Sequence, residues 1–165
     1  MLPFAGVLER LACATIKDEP TEADEFQLLD ERLMVTPPVA IEQCRKLTIR
    51  MAEKSEHAMD LALSLIQNFD PEVYNTVRET EARIDVYEDR LGTYLVGLSA
   101  RSLSQADSRE VSRLLHTIGD FERISDHAVE IAKAAEEMRT KEIHFSTDAQ
   151  GEVDVISAAV RRVLH

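Results

Sequence analysis

Two acidic pairs stand out by type and spacing. In IGDFERISDHAVEIAK, residues 118–133, Glu122 and Asp126 lie four apart; in ETEARIDVYEDRL, residues 79–91, Glu81 and Asp85 repeat that spacing, with Glu88 close to the same line. Residues four apart share a helix face. At ~100° per residue, Glu122 projects among Val111, Leu114, Leu115, Ile118, Phe121 and Val129, with Asp126 at the margin of that stripe. Charge is rarely sited on a core face unless something pairs with it. Carboxylates gathered from two adjacent helices must hold cations or retain protons. Hard cations, iron and manganese accept such oxygen-rich sites. The alternative is a solvated acidic face, although Arg83 and Arg123 project ~100° or more from the stripe.

The surrounding sequence supplies long helices to carry these pairs. Thr36 and the prolines after it start one from about Pro38 to Asn68. Its stripe is Cys44, Met51, Ala58 and Leu65, with Leu47 and Leu61 in the companion row and Lys54 as a polar notch. Asp70 caps a second helix, from Pro71 to about Arg101, through Val73, Val77, Ile84, Leu91, Leu95 and Leu98. Ser104 or Asp107 opens a third, which runs to about Lys141. A shorter fourth segment has helical spacing at Val153, Ile156, Val160 and Val163. The predicted fold is all-α, an antiparallel three- to four-helix bundle. Residues 1–35 are expected to form a short helix (3–13) and an acidic linker (17–32), residues 36–141 the three-helix bundle, and residues 146–165 an additional helix.

Composition narrows the function. The 165 residues carry a net charge of −12 with aromatics at only 5%; no basic stripe is present, so nucleic acid is not an expected partner. No apolar run reaches the ~18 residues of a membrane span. Cys13 and Cys44 form no CxxC, and Cys44 is expected to be a buried thiol in a reducing, cytoplasmic setting.

The stretch TIGDFERISDHAVEIA resembles the ERIGDxxxxIA signature that closes each three-helix repeat of PhoU proteins, regulators of phosphate uptake. ETEARIDVYEDRL resembles the acidic signature of the preceding helix in that repeat. The resemblance implies a PhoU-like bundle with a multinuclear metal cluster, its ligands here Glu81, Asp85, Glu122 and Asp126. The metal stays open among iron, zinc, manganese and magnesium. LLDERLMVTPPVAIEQCRKLTIRMAE, residues 28–53, is similar to the segment joining the membrane part of bacterial Na/phosphate cotransporters to a C-terminal PhoU-like domain. That implies a non-enzymatic regulatory domain at the cytoplasmic face of the membrane. Its partner would be the cotransporter's membrane part or another phosphate-uptake component.

Ser125 stands where the signature has Gly. One repeat plus one helix leaves two readings open, a piece of a longer transporter or a homodimer completing the bundle in trans. A metal-free helical docking module is the alternative function. A di-iron carboxylate oxidase is a further one, and it is opposed by the residues three before each histidine: Lys54, Arg113, Ile124, Lys141 and Arg162 provide no Glu-x-x-His. No Gly-rich phosphate loop or nucleophile triad is present. His57, His116, His144 and His165 are expected at the surface, His127 either exposed or just behind the acidic ligands, and Tyr74, Tyr87 and Tyr94 in packing.

Overall fold

Apolar residues at helical spacing need a facing element to bury them, and here three long helices supply it to one another. The computed structural model describes residues 25–165; the short helix predicted over 3–13, Cys13 and the first part of the acidic segment lie outside the described residues. A 3₁₀ turn (Glu31–Val35) leads into α1 (Pro37–Gln67), α2 (Pro71–Ser99), α3 (Gln105–Thr140) and α4 (Thr147–Leu164). No strand occurs among the described residues, and none of their helices is long and apolar enough to cross a membrane.

The helix starts follow capping chemistry. Asp70 accepts from the Glu72 amide at 2.8 Å. Of the two candidates for α3, Ser104 is the cap: its Oγ accepts from the Asp107 amide at 3.1 Å and donates to Asp107 Oδ2 at 2.7 Å. Ser146 caps α4 through the Ala149 amide. Thr36, the expected cap of α1, makes no side-chain cap bond; only its carbonyl takes up the first donors, from Val39 and Ala40. With Pro37 and Pro38 in the first turn, fewer donors are left for a side chain to satisfy.

α1 and α3 run parallel and pack directly on each other, with α2 antiparallel to both. Arg45 of α1 reaches Glu110 of α3 at 2.7 Å, and ten residues on Ser55 Oγ donates to the Phe121 carbonyl at 3.1 Å. The two helices therefore stay in step. Below that point their contact is lined by small residues, Ala58 and Ala62 against Ala128, Ala132 and Ala135, all buried.

Two apolar clusters result. The first joins Leu47, Met51, Ile84, Leu91, Leu95 and Ile118, and the second joins Ala58, Leu65, Val77, Ala128 and Ala132. Each fully buried Leu or Ile contributes roughly 1.5–3 kcal/mol. Surface ion pairs such as Lys133–Glu130 contribute about 0–1 kcal/mol, so the apolar seams hold the bundle. Cys44 is buried and free, and burial pushes its thiol up to about 12.

Part of the segment expected to be a linker is packed instead. Phe26, Leu28, Leu29 and Leu33 lie against the first cluster, and Met34 is buried within it. The Phe26 ring packs on that of Tyr87 at a 59° tilt, centroids 4.9 Å apart, and Tyr94 Oη donates to the Asp30 carbonyl at 2.8 Å. The acidic composition hid this strap, although Phe26, Leu29 and Leu33 stand at helical spacing. The fourth helix also departs from expectation, since Ile156 and Val163 of its predicted stripe face solvent.

The end of α3 carries local strain. The Ile143 amide donates to the Met138 carbonyl and the Glu142 amide to that of Arg139, a Schellman arrangement that requires a left-handed residue at Glu142, whose φ is 52°. A side chain is disfavoured there. Glu142→Gly should therefore raise stability by about 1 kcal/mol, read as a higher denaturant midpoint with an unchanged slope.

Candidate functional site

The acidic pairs sit where the two apolar clusters part. On α2, Glu81, Asp85, Glu88 and Gly92 follow one line at ~100° per residue; on α3, Ile118, Glu122 and Asp126 do the same. The lines meet in antiparallel register. A β-carbon on Gly92 would lie 3.8 Å from Ile118 Cδ1 and 3.9 Å from Glu88 Oε1, which brings Glu88 level with Glu122 one turn away.

Glu81 and Glu122 are half-buried, whereas Asp85 and Asp126 are exposed. Glu122 thus lies at the lip of the seam rather than within the core. Burial raises its carboxyl above the usual carboxylate range, and Asp126 adds both charge and a hydrogen bond. Asp85 and Glu88 raise it further from across the seam. Glu81 is raised by burial first, then by Asp85 and Asp126; Lys133 and Arg78 relieve it only in part. Asp85 and Asp126 thus act on both glutamates across the two helices, and Glu88 joins them at Glu122. The place of Glu88 on the same line as Glu81 and Asp85 was visible in the sequence, but it stands outside the paired motif.

As the side chains stand, no three His, Cys, Asp or Glu residues among the described residues are grouped so as to hold a metal ion. The fit is one of chemistry: oxygen donors only, from facing helices, in mutual repulsion that a cation would relieve.

Beneath the carboxylates lies a buried polar layer. Ser55 Oγ donates to its own Met51 carbonyl at 2.9 Å and to that of Phe121 at 3.1 Å. Phe121 is four residues before Ser125 and would be the natural acceptor for the Ser125 hydroxyl. That bond is not made, and Ser125 Oγ is buried without a partner. Ser125 is fully buried, so its small size matters more than its hydroxyl. The Lys54 notch is also explained: its ammonium lies 5.8 Å from the centroid of the Tyr87 ring.

The histidines lie at the surface, and His127 is not among the groups that perturb Glu122 or Glu81. His165 has a partner that the sequence did not indicate, Glu56 at 2.7 Å.

Two outcomes follow for metal-free protein. Ser125→Ala removes an unsatisfied buried hydroxyl and should leave stability equal or higher by about 1 kcal/mol in chemical denaturation. Glu122→Gln should stabilise at neutral pH by about 0.2–0.5 kcal/mol for each like-charge pair relieved. Because the folded-state carboxyl of Glu122 is raised, the parent keeps its full stability below the ordinary glutamate value of 4.5 and loses it as pH rises through the folded value. The difference between parent and variant should thus vanish near pH 4 and grow towards pH 7. A constant difference would show that Glu122 does not titrate in this field.

The PhoU domain family model matches residues 48–135, a little over half of the chain. No curated protein and no solved structure matches. The matched segment contains both acidic motifs and the parts of α1, α2 and α3 that frame them. The chain belongs to the PhoU domain family.

Proposed function

We propose that this chain is a non-enzymatic regulatory domain whose acidic seam binds metal cations, and that it acts in the control of phosphate uptake. Family membership points to a phosphate-related regulatory role. The observation that supports the metal reading is that Asp85 and Asp126, on facing helices, both act on half-buried Glu81 and Glu122 and add to the effect of burial in raising them. Glu81, Asp85, Glu122 and Asp126, with Glu88 beside them, would hold the cation. Iron, zinc, manganese and magnesium all suit oxygen donors to differing degrees. A bound cation supplies positive charge that cancels the repulsion, and any coordination positions left open would accept phosphate oxygens or a partner's carboxylates.

The chain's own part is mechanical. α2 and α3 are held together by apolar contacts on either side of the seam and repel each other at it. Binding there would favour the closed pair over any splayed arrangement, by as much as its affinity for the two states differs. In the setting we propose, the membrane part of a Na/phosphate cotransporter reads that difference at the cytoplasmic face. The resemblance of residues 28–53 to the joining segment of such transporters supports this partner.

The test is elemental analysis of protein purified without chelator or metal-affinity resin, together with thermal melts in EDTA and in added iron, manganese, zinc or magnesium. Bound metal and a metal-dependent rise in Tm are expected for the parent and lost in Glu122→Gln. The sign should therefore invert: the variant is the more stable form in EDTA and the less stable one in metal. Metal-free parent protein with no metal-dependent shift would leave a helical docking module as the function. Phosphate uptake by cells carrying Glu122→Gln, unchanged from the parent, would remove the link to transport.

A further inference from the structure

Among the described residues, α4 is joined to the bundle by one side. Three polar pairs set its course antiparallel to α1: Gln67 with Asp154 at 3.0 Å, Asp60 with Arg161 at 3.0 Å, and Glu56 with His165 at 2.7 Å. Ser157 is its one buried residue, flanked by half-buried Val153, Val160 and Leu164. The opposite face is also apolar. Val155, Ile156 and Val163 are 70%, 62% and 81% exposed, and at ~100° per residue they share a side with Glu152, Ala159, Arg162 and Gly151.

Charge is distributed unevenly along this outer face. Its first half carries Asp148 and Glu152, and its second half Arg162, in a chain whose net charge is −12. Two copies of so acidic a chain repel over most of their surface. An antiparallel pairing of α4 with itself is different. With the two-fold axis level with residue 157, Glu152 faces Arg162 of the second copy, twice over by symmetry. Val155 meets Ala159 of that copy.

We propose that the outer face of α4 is a self-association surface, on which a second copy of this chain docks antiparallel through Val155, Ile156 and Val163 and the reciprocal Glu152–Arg162 pairs. An 18-residue helix is about 27 Å long, so the interface falls in the small, transient class and the dimer should dissociate on dilution.

Sedimentation velocity over a concentration series tests this, run in EDTA so that metal bridging of acidic residues does not contribute. Glu152 and Arg162 are both exposed, and circular dichroism confirms that their variants fold. The parent should form a concentration-dependent dimer. Glu152→Arg alone and Arg162→Glu alone should each shift the midpoint at least tenfold towards monomer, because each sets like charges opposite one another. Mixing the two single variants should restore association as a heterodimer in which both pairs are complementary again, and the double variant should restore the homodimer. A parent that stays monomeric throughout would overturn the proposal and leave this face to a different partner. A dimer indifferent to both single variants, or single variants that fail to complement each other, would also overturn it.

Discussion

Four carboxylates at the edge of an apolar seam impose a condition that the rest of the bundle meets. Charge at this level cannot be enclosed without a partner, so the core does not run unbroken from end to end. It divides into a cluster around Leu47, Leu95 and Ile118 and another around Ala62, Val77 and Ala132. Between them lies a waist of Ser55, Thr80 and Ser125, all buried. The waist keeps Glu81 and Glu122 half in water while the apolar layers on both sides press α2 against α3. Repulsion is tolerated there because packing elsewhere exceeds it by several kcal/mol. The cation response we propose rests on that balance: enough attraction to fold without the ion, and enough local repulsion for an ion to matter.

Register is what makes the waist coherent. The Arg45–Glu110 and Ser55–Phe121 contacts keep α1 and α3 parallel and in step. The approach of Gly92 to Ile118 sets α2 against α3. Small residues on α1 and α3 then allow close approach below the waist, and Ser125 falls on that line. A bulkier residue there would push α3 outward and carry Glu122 and Asp126 away from Glu81 and Asp85. The small residue within the acidic signature is therefore a spacing element for the carboxylates, acting about 60° around the same helix from Glu122.

The strap before α1 and the helix after α3 contribute in different ways. Residues 26–34 close one end of the first apolar cluster, with Tyr94 anchoring the backbone at Asp30. α4 shields only part of the second cluster, through Val160 and Leu164, and leaves a second apolar stripe outward. A helix apolar on two faces has two surfaces to satisfy. The bundle occupies one of them.

Much of this could be read from residue order alone. The helix positions, the Asp70 and Ser104 caps, the buried Cys44 and the stripes of α1, α2 and α3 all follow from interactions spanning a few residues, where periodicity and capping chemistry act. The alignment of Glu81 with Asp85, and of Glu122 with Asp126, is of the same kind. Other features were not legible. The failure of Thr36 to cap, the packing of Phe26 and Leu29, the pairing of His165 with Glu56 and the outward face of α4 depend on which elements become neighbours. Contacts such as Ser55–Phe121 and Asp60–Arg161 join residues 66 and 101 apart in the chain. Local rules carry no information at that range. Amphipathicity established that each helix had a face to bury; the tertiary structure decided against what, and it left one of those faces open.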